Sequence, residues 1–223
     1  MANSTGFMGT PAIKHAADSL AAGVKAGAKE STKISKEANR KKLDSLKRVS
    51  KTPSKKVVDN PFVNGKAGKL KPNVRYKTSL KGTDHNYWYE TDDKGRIERV
   101  QADPLELKVD GRERAIHDSH TPDKLATDQA GHIIADMFDG DPTLKNLVSQ
   151  DAHVNMKTIL DNGATGYRGI ERLWASALKN DKEVKIDIQL EYSSGSARPD
   201  KFIINSDIDG IPQREVKILN GTR

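Results

Sequence analysis

The chain has 223 residues, room for one folded core plus an extension, and carries 38 Lys and Arg against 31 Asp and Glu, a net charge of +7. It contains no cysteine, which excludes a disulfide framework and thiolate ligation, so any metal must be held by oxygen or imidazole nitrogen. No apolar run approaches the roughly 20 residues of a membrane-crossing helix, and the first 24 residues lack the cationic patch and continuous apolar stretch of a secretory signal peptide; the expectation is a soluble protein that needs another route if it is exported.

Residues 1–70 hold 15 Lys and Arg against 5 Asp and Glu, and the remainder 23 against 26, so the whole positive surplus lies in the N-terminal stretch. Of the aromatics only Phe7 and Phe62 fall there, too few bulky groups to offset the entropy of folding. Residues 12–46 are rich in Ala, Lys and Glu, but their apolar positions are mostly Ala and bury little surface. A flexible basic N-terminal region follows, with three readings open: an arm for nucleic-acid phosphates, a solvated leader for export or docking, and a plain extension. Pro53, Pro61, Gly65, Gly68 and Pro72 predict a linker leading into the folded domain near residue 70, dividing the chain into 1–70 and 71–223.

From there the pattern is that of a packed domain. Residues 86–91 (Asn-Tyr-Trp-Tyr-Glu-Thr), the turn Asp92-Asp-Lys-Gly95 and residues 96–100 (Arg-Ile-Glu-Arg-Val) predict a β-hairpin. In Asp128-Gln-Ala-Gly-His132 a Gly-His pair leads into an apolar run; such a histidine at the start of a strand suits a surface or hydrogen-bonded role as well as catalysis. Asn146, Gln150 and Asn155 form a cluster of side-chain amides, whose oxygens are neutral hard ligands for Mg²⁺ but are equally common as caps and turn formers. Tyr167, Ile170, Trp174 and Leu178 recur at helical spacing and predict an amphipathic helix over 166–180. Glu171 falls inside that apolar stripe, where a carboxylate needs a partner: either an Arg in a structural ion pair, or a metal or metal-bound water. Val184, Ile186, Ile188, Leu190 and Tyr192 alternate with polar residues, and Phe202, Ile204 and Ile208 follow with a similar period, predicting two half-buried strands. The fold class is α+β, with strands before and after a central helical section.

These residues together resemble the DNA/RNA non-specific endonuclease family of the ββα-metal superfamily. The Gly-His pair ends an Asp-containing motif at Asp128 to His132, the Asn-x3-Gln-x4-Asn spacing is met by Asn146, Gln150 and Asn155, and the later Glu is matched by Glu171. Tyr89-Glu-Thr-Asp-Asp-Lys-Gly-Arg96, Tyr192, Arg198-Pro199 and Asp209-Gly210 are similar to the branch that serves as C-terminal toxin domains in bacteria. The resemblance covers about residues 72 to 219. It departs from the family where many members carry Arg beside the Gly-His pair; this chain has Gln129-Ala130, so that phosphate contact must come from elsewhere or be missing.

The resemblance implies a ββα-metal core with an antiparallel sheet, and a one-metal hydrolysis of phosphodiester bonds in DNA and, as a further substrate, RNA. His132 acts in it as general base on water, a role an imidazole can fill near pH 7. Asn155, at the start of a short helix, is the direct ligand of one Mg²⁺, with Mn²⁺ as the alternative ion, and Glu171 holds metal-bound waters. Asp128, Asn146 and Gln150 brace the site, and Arg198 and Arg168 are candidates for phosphate contact. His117 and His120 form a His-x-x-His pair, too few ligands for a closed zinc site, and His153 is expected on the surface.

The toxin-branch resemblance further implies a bacterial effector, exported through residues 1–70 by a secretion or injection apparatus, acting in the cytoplasm of a target cell and held in check by a cognate immunity protein; no membrane partner is implied. A second functional class stays open, a catalytically inactive nucleic-acid-binding protein with a basic tail, because the −3 balance beyond residue 70 lacks the usual basic face of nucleic-acid enzymes.

Overall fold

A computed structural model of the chain describes residues 55–65, 68–108, 116–160, 165–193 and 195–221. All belong to the unit Lys55–Arg223; the expectations for residues 1–54 lie outside the described residues. The folded unit starts before the linker expected near residue 70. Phe62 and Leu70, joined by an antiparallel bridge, are both in the hydrophobic core, so the described part of the Pro- and Gly-rich stretch packs against the domain.

One large sheet runs in the order β1 (Lys56–Val57), β2 (Val74–Lys77), β3 (Tyr87–Thr91), β4 (Ile97–Ala102), β7 (Val184–Glu191), β8 (Lys201–Ile208) and β10 (Val216–Leu219), with β9 (Ile211–Pro212) paired to β8. Its pairings are antiparallel except at the β1 edge, which runs parallel to β2. β5 (Asp128–His132) and β6 (Leu147–Asp151) form a separate antiparallel ribbon. Among the described residues the α-helices are α1 (Ala152–Met156) and α2 (Tyr167–Lys179).

The predicted hairpin is β3–β4. Asp92 accepts from the backbone N–H groups of Lys94 and Arg96, and Gly95 supplies the left-handed residue of the turn at φ +78°. A Cβ there would also lie 2.3 Å from the Leu70 carbonyl oxygen, so glycine is required twice over. The alternations over β7 and β8 put Val184, Ile186, Ile188, Leu190, Phe202, Ile204 and Ile208 in the buried set, whereas Tyr192, expected to continue the first, lies past the end of β7 and is half-buried. Helix α2 lays Tyr167, Ile170, Trp174 and Ala177 into the same core; Leu178, the last predicted member of the stripe, is half-buried in the final turn.

Buried tyrosines connect this scaffold to the β5–β6 connection, residues 133–146. The Tyr76 hydroxyl donates to the Lys145 carbonyl, Tyr87 to that of Phe138, Tyr167 to that of Ile133, and Tyr89 to the Asn146 side chain, at 2.8 to 2.9 Å. Each ring is buried while its hydroxyl donates to an acceptor in the connection. Burial raises all four hydroxyl pKa values above the ordinary tyrosine value.

Candidate functional site

The ribbon is shaped by two close contacts. A Cβ on Gly131 would lie 2.1 Å from Gln150 Oε1 and 2.6 Å from Gln150 Cβ, so the residue before His132 must be glycine for the fully buried Gln150 to fit. A Cβ on Gly140 would lie 1.8 Å from the Ile134 carbonyl oxygen and 2.8 Å from Asn146 Nδ2. Asn146, itself fully buried, closes the connection: its Oδ1 accepts from the Ile134 N–H and the Tyr89 hydroxyl, and its Nδ2 donates to the Ile134 and Asp141 carbonyls. Asn146 thus ties the connection to the end of the ribbon, and Gln150 fills the space that Gly131 leaves.

A cleft of about 580 Å³ opens beside the ribbon, lined among others by His132, Asn155, Glu171, Arg168, Lys124 and His117. His132 is the last residue of β5, rather than the first of a strand. Asn155 follows from α1, the penultimate residue of this short helix and not its start. The helix is capped by Asp151, which accepts from the His153 and Val154 N–H groups. Glu171 projects from α2 and is only 9% exposed. No ion pair to Glu171 occurs among the described residues, so the structural Arg partner is not found. Burial pushes its carboxyl up to about 7, partly offset by the charge of nearby Arg168.

Arg168 is exposed and lines the cleft. Arg198 does not. Its Nε and Nη2 bond both oxygens of Asp128 at 2.7 and 2.8 Å, and its Nη1 donates to the Asn220 carbonyl. This bidentate pair is a tie between the ribbon and the turn before β8, which corrects the expectation of a phosphate contact. Burial works to raise the Asp128 pKa, but the hydrogen bonds from Arg198 and the Leu125 N–H outweigh it and hold the carboxyl below its ordinary value.

The His-x-x-His pair diverges. His117 reaches the cleft, its ring edge-on to that of His132 with centroids 5.1 Å apart, whereas His120 is exposed and lines a second cleft near Lys69 and Tyr192. Among the described residues no three His, Cys, Asp or Glu groups converge as a metal site. The cleft wall carries oxygen donors, among them the Asn155 amide and the Glu171 and Asp136 carboxylates, beside the imidazoles of His117 and His132. The amide oxygen of Asn155 suits a hard cation that keeps most of its water shell, and a buried carboxylate with no ion pair among the described residues, Glu171, is a group such an ion would stabilise. His153, expected on the surface, is half-buried in α1. Sequence reasoning kept His117 out of the site and did not single out Lys124; both lie in irregular segments, where spacing carries no information about direction.

No helix among the described residues is long and apolar enough to cross a membrane. Two solved structures of NucA from Streptococcus agalactiae are similar in fold. The magnesium-bound form has a TM-score of 0.50 at 18% identity, covering 66% of this chain and 75% of that one, and the metal-free form a TM-score of 0.48 at 16% identity, covering 63% and 73%. In sequence, the chain is 39% identical over 157 residues to the type VII secretion system protein EssD of Staphylococcus aureus, a match covering 68% of this chain and 24% of that protein. The chain thus spans about a quarter of the length of the curated relatives it matches. The family model for DNA/RNA non-specific endonucleases matches residues 72–210, the span that holds the ribbon, both helices and every side chain of the cleft, and the chain belongs to the DNA/RNA non-specific endonuclease family.

Proposed function

We propose that the chain is a metal-dependent, sequence-nonspecific endonuclease that cuts DNA, and RNA as a second substrate, with its chemistry in the cleft at the end of the β5–β6 ribbon. The carrying observation is that His132, Asn155 and Glu171, drawn from a strand and two helices, line one cleft. His132 takes the proton of the attacking water, a contribution of roughly 10²–10⁴-fold in rate. Asn155 offers its amide oxygen to Mg²⁺ or Mn²⁺, and Glu171 orders the water around the ion. When bound, the cation polarises the scissile phosphate and stabilises charge on the leaving 3′-oxygen. Arg168 and Lys124 supply positive charge on the cleft wall for the nucleic-acid backbone, which carries no base information.

Plasmid cleavage by wild type and His132→Ala, with Mg²⁺ and then with EDTA, tests this. Metal-dependent degradation should fall by at least about 10²-fold in the variant. Intact plasmid and intact RNA under every condition would favour a catalytically inactive nucleic-acid-binding protein.

The match to a protein named for a secretion system supports a bacterial effector role: export through residues 1–70 by such an apparatus, action in the cytoplasm of a target cell, and a cognate immunity protein that covers the cleft in the producer. Purification from the producing cell should recover a partner that inhibits cleavage; an active, uninhibited nuclease recovered there repeatedly would count against an immunity partner.

A further inference from the structure

Gln129 lies on β5, half-buried at the cleft wall, and its side chain makes two hydrogen bonds to α1. Its Oε1 accepts from Asn155 Nδ2 at 2.8 Å, and its Nε2 donates to Met156 Sδ at 3.1 Å. The pair has only one possible direction. A thioether sulfur has no proton to give, so the NH₂ of Gln129 must face Met156 and its carbonyl must face Asn155. Asn155 must then turn its own NH₂ toward Gln129, and the atom left for the cleft is its carbonyl oxygen. Without that contact the two ends of the Asn155 amide are nearly isosteric, and rotation by half a turn would present a donor where a cation needs an acceptor.

We propose that Gln129 is a positioning residue that locks the Asn155 amide with its oxygen toward the cleft and thereby sets the affinity of the site for a divalent cation. This rests on the reading of Asn155 as the metal ligand. It also gives Gln129 a role at the place where the chain departs from the Arg beside the Gly-His pair.

The test is a double-mutant cycle read by calorimetric titration of the full chain with Mn²⁺. Gln129→Leu keeps the side chain's bulk and removes the acceptor, and should weaken Mn²⁺ binding by about 10–100-fold, the usual effect of losing a group that orients a ligand. In an Asn155→Asp background the carboxylate offers oxygen in either orientation, so the same Gln129→Leu change should cost less than about threefold. The amide protons of Asn155 in metal-free protein should exchange with solvent faster in Gln129→Leu than in wild type. A general structural role would weaken binding equally in both backgrounds, and that result overturns the proposal, as does wild-type affinity in the Gln129→Leu single variant. If Asn155→Ala leaves Mn²⁺ affinity unchanged, the assignment of Asn155 as ligand fails first and the role of Gln129 falls with it.

Discussion

Glu171 shares the inner face of its helix with Tyr167, Ile170 and Trp174, and no ion pair among the described residues offsets its burial. Its carboxyl is raised to about 7 from an ordinary 4.5, so the fold binds this proton more tightly than the unfolded chain does. The resulting stability is fully present below about pH 4.5 and is lost as pH rises through 7, a contribution of about 3 kcal/mol. In EDTA, unfolding by denaturant should show this decline for wild type and a flatter profile for Glu171→Gln, and Mg²⁺ at pH 8 should restore stability to wild type alone. An identical pH profile in the two proteins would remove Glu171 as the cause. At this scale the sequence was legible wherever periodicity placed a residue on a face. A polar group in an apolar stripe announces itself, and Glu171 did. Arg198 illustrates the opposite: a lone Arg beside a Pro reads as surface charge, and only the folded chain brings it to Asp128, 70 positions away.

The elements were read best where their period was strong. The β3–β4 hairpin, α2, β7 and β8 lie where alternation and helical spacing put them, whereas β2 and β10, four residues each, are too short for their alternation to stand out from loop sequence. The ribbon is a different case. All five residues of β6 are buried, so no alternation marks it, and its motif residues are legible only as a family pattern. Geometry now gives that pattern a cause in the contact of Gly131 with Gln150. Gly131→Ala should cost about 1–3 kcal/mol by overpacking, with a larger proportional loss of cleavage because the next residue is His132. Melting temperature and turnover measured together check this, and unchanged values for both would show that Gln150 has room to yield.

Over the whole molecule, the folded unit reaches back past residue 70, where composition and Pro and Gly punctuation together suggest a linker. Few aromatics and many lysines mark the first 70 residues, yet Phe62 and Leu70 belong to the core and Lys71 donates its backbone N–H to the Pro61 carbonyl. Removal of residues 1–54 should leave a folded nuclease with wild-type turnover on plasmid DNA, whereas removal of 1–70 should lower its melting temperature by several degrees, since two buried side chains go with it; equal stability of both truncations would restore the boundary to residue 70. Far along the chain, Asn220 binds two separate segments at once, β6 and the turn before β8. Its Oδ1 accepts from the Asp151 N–H that begins the α1 cap, its Nδ2 donates to the Ser149 and Pro199 carbonyls, and its own carbonyl takes Arg198. Every side chain lining the cleft precedes it in order of synthesis, so a nascent chain carries the cleft residues before the side chain that ties β6 to the turn before β8.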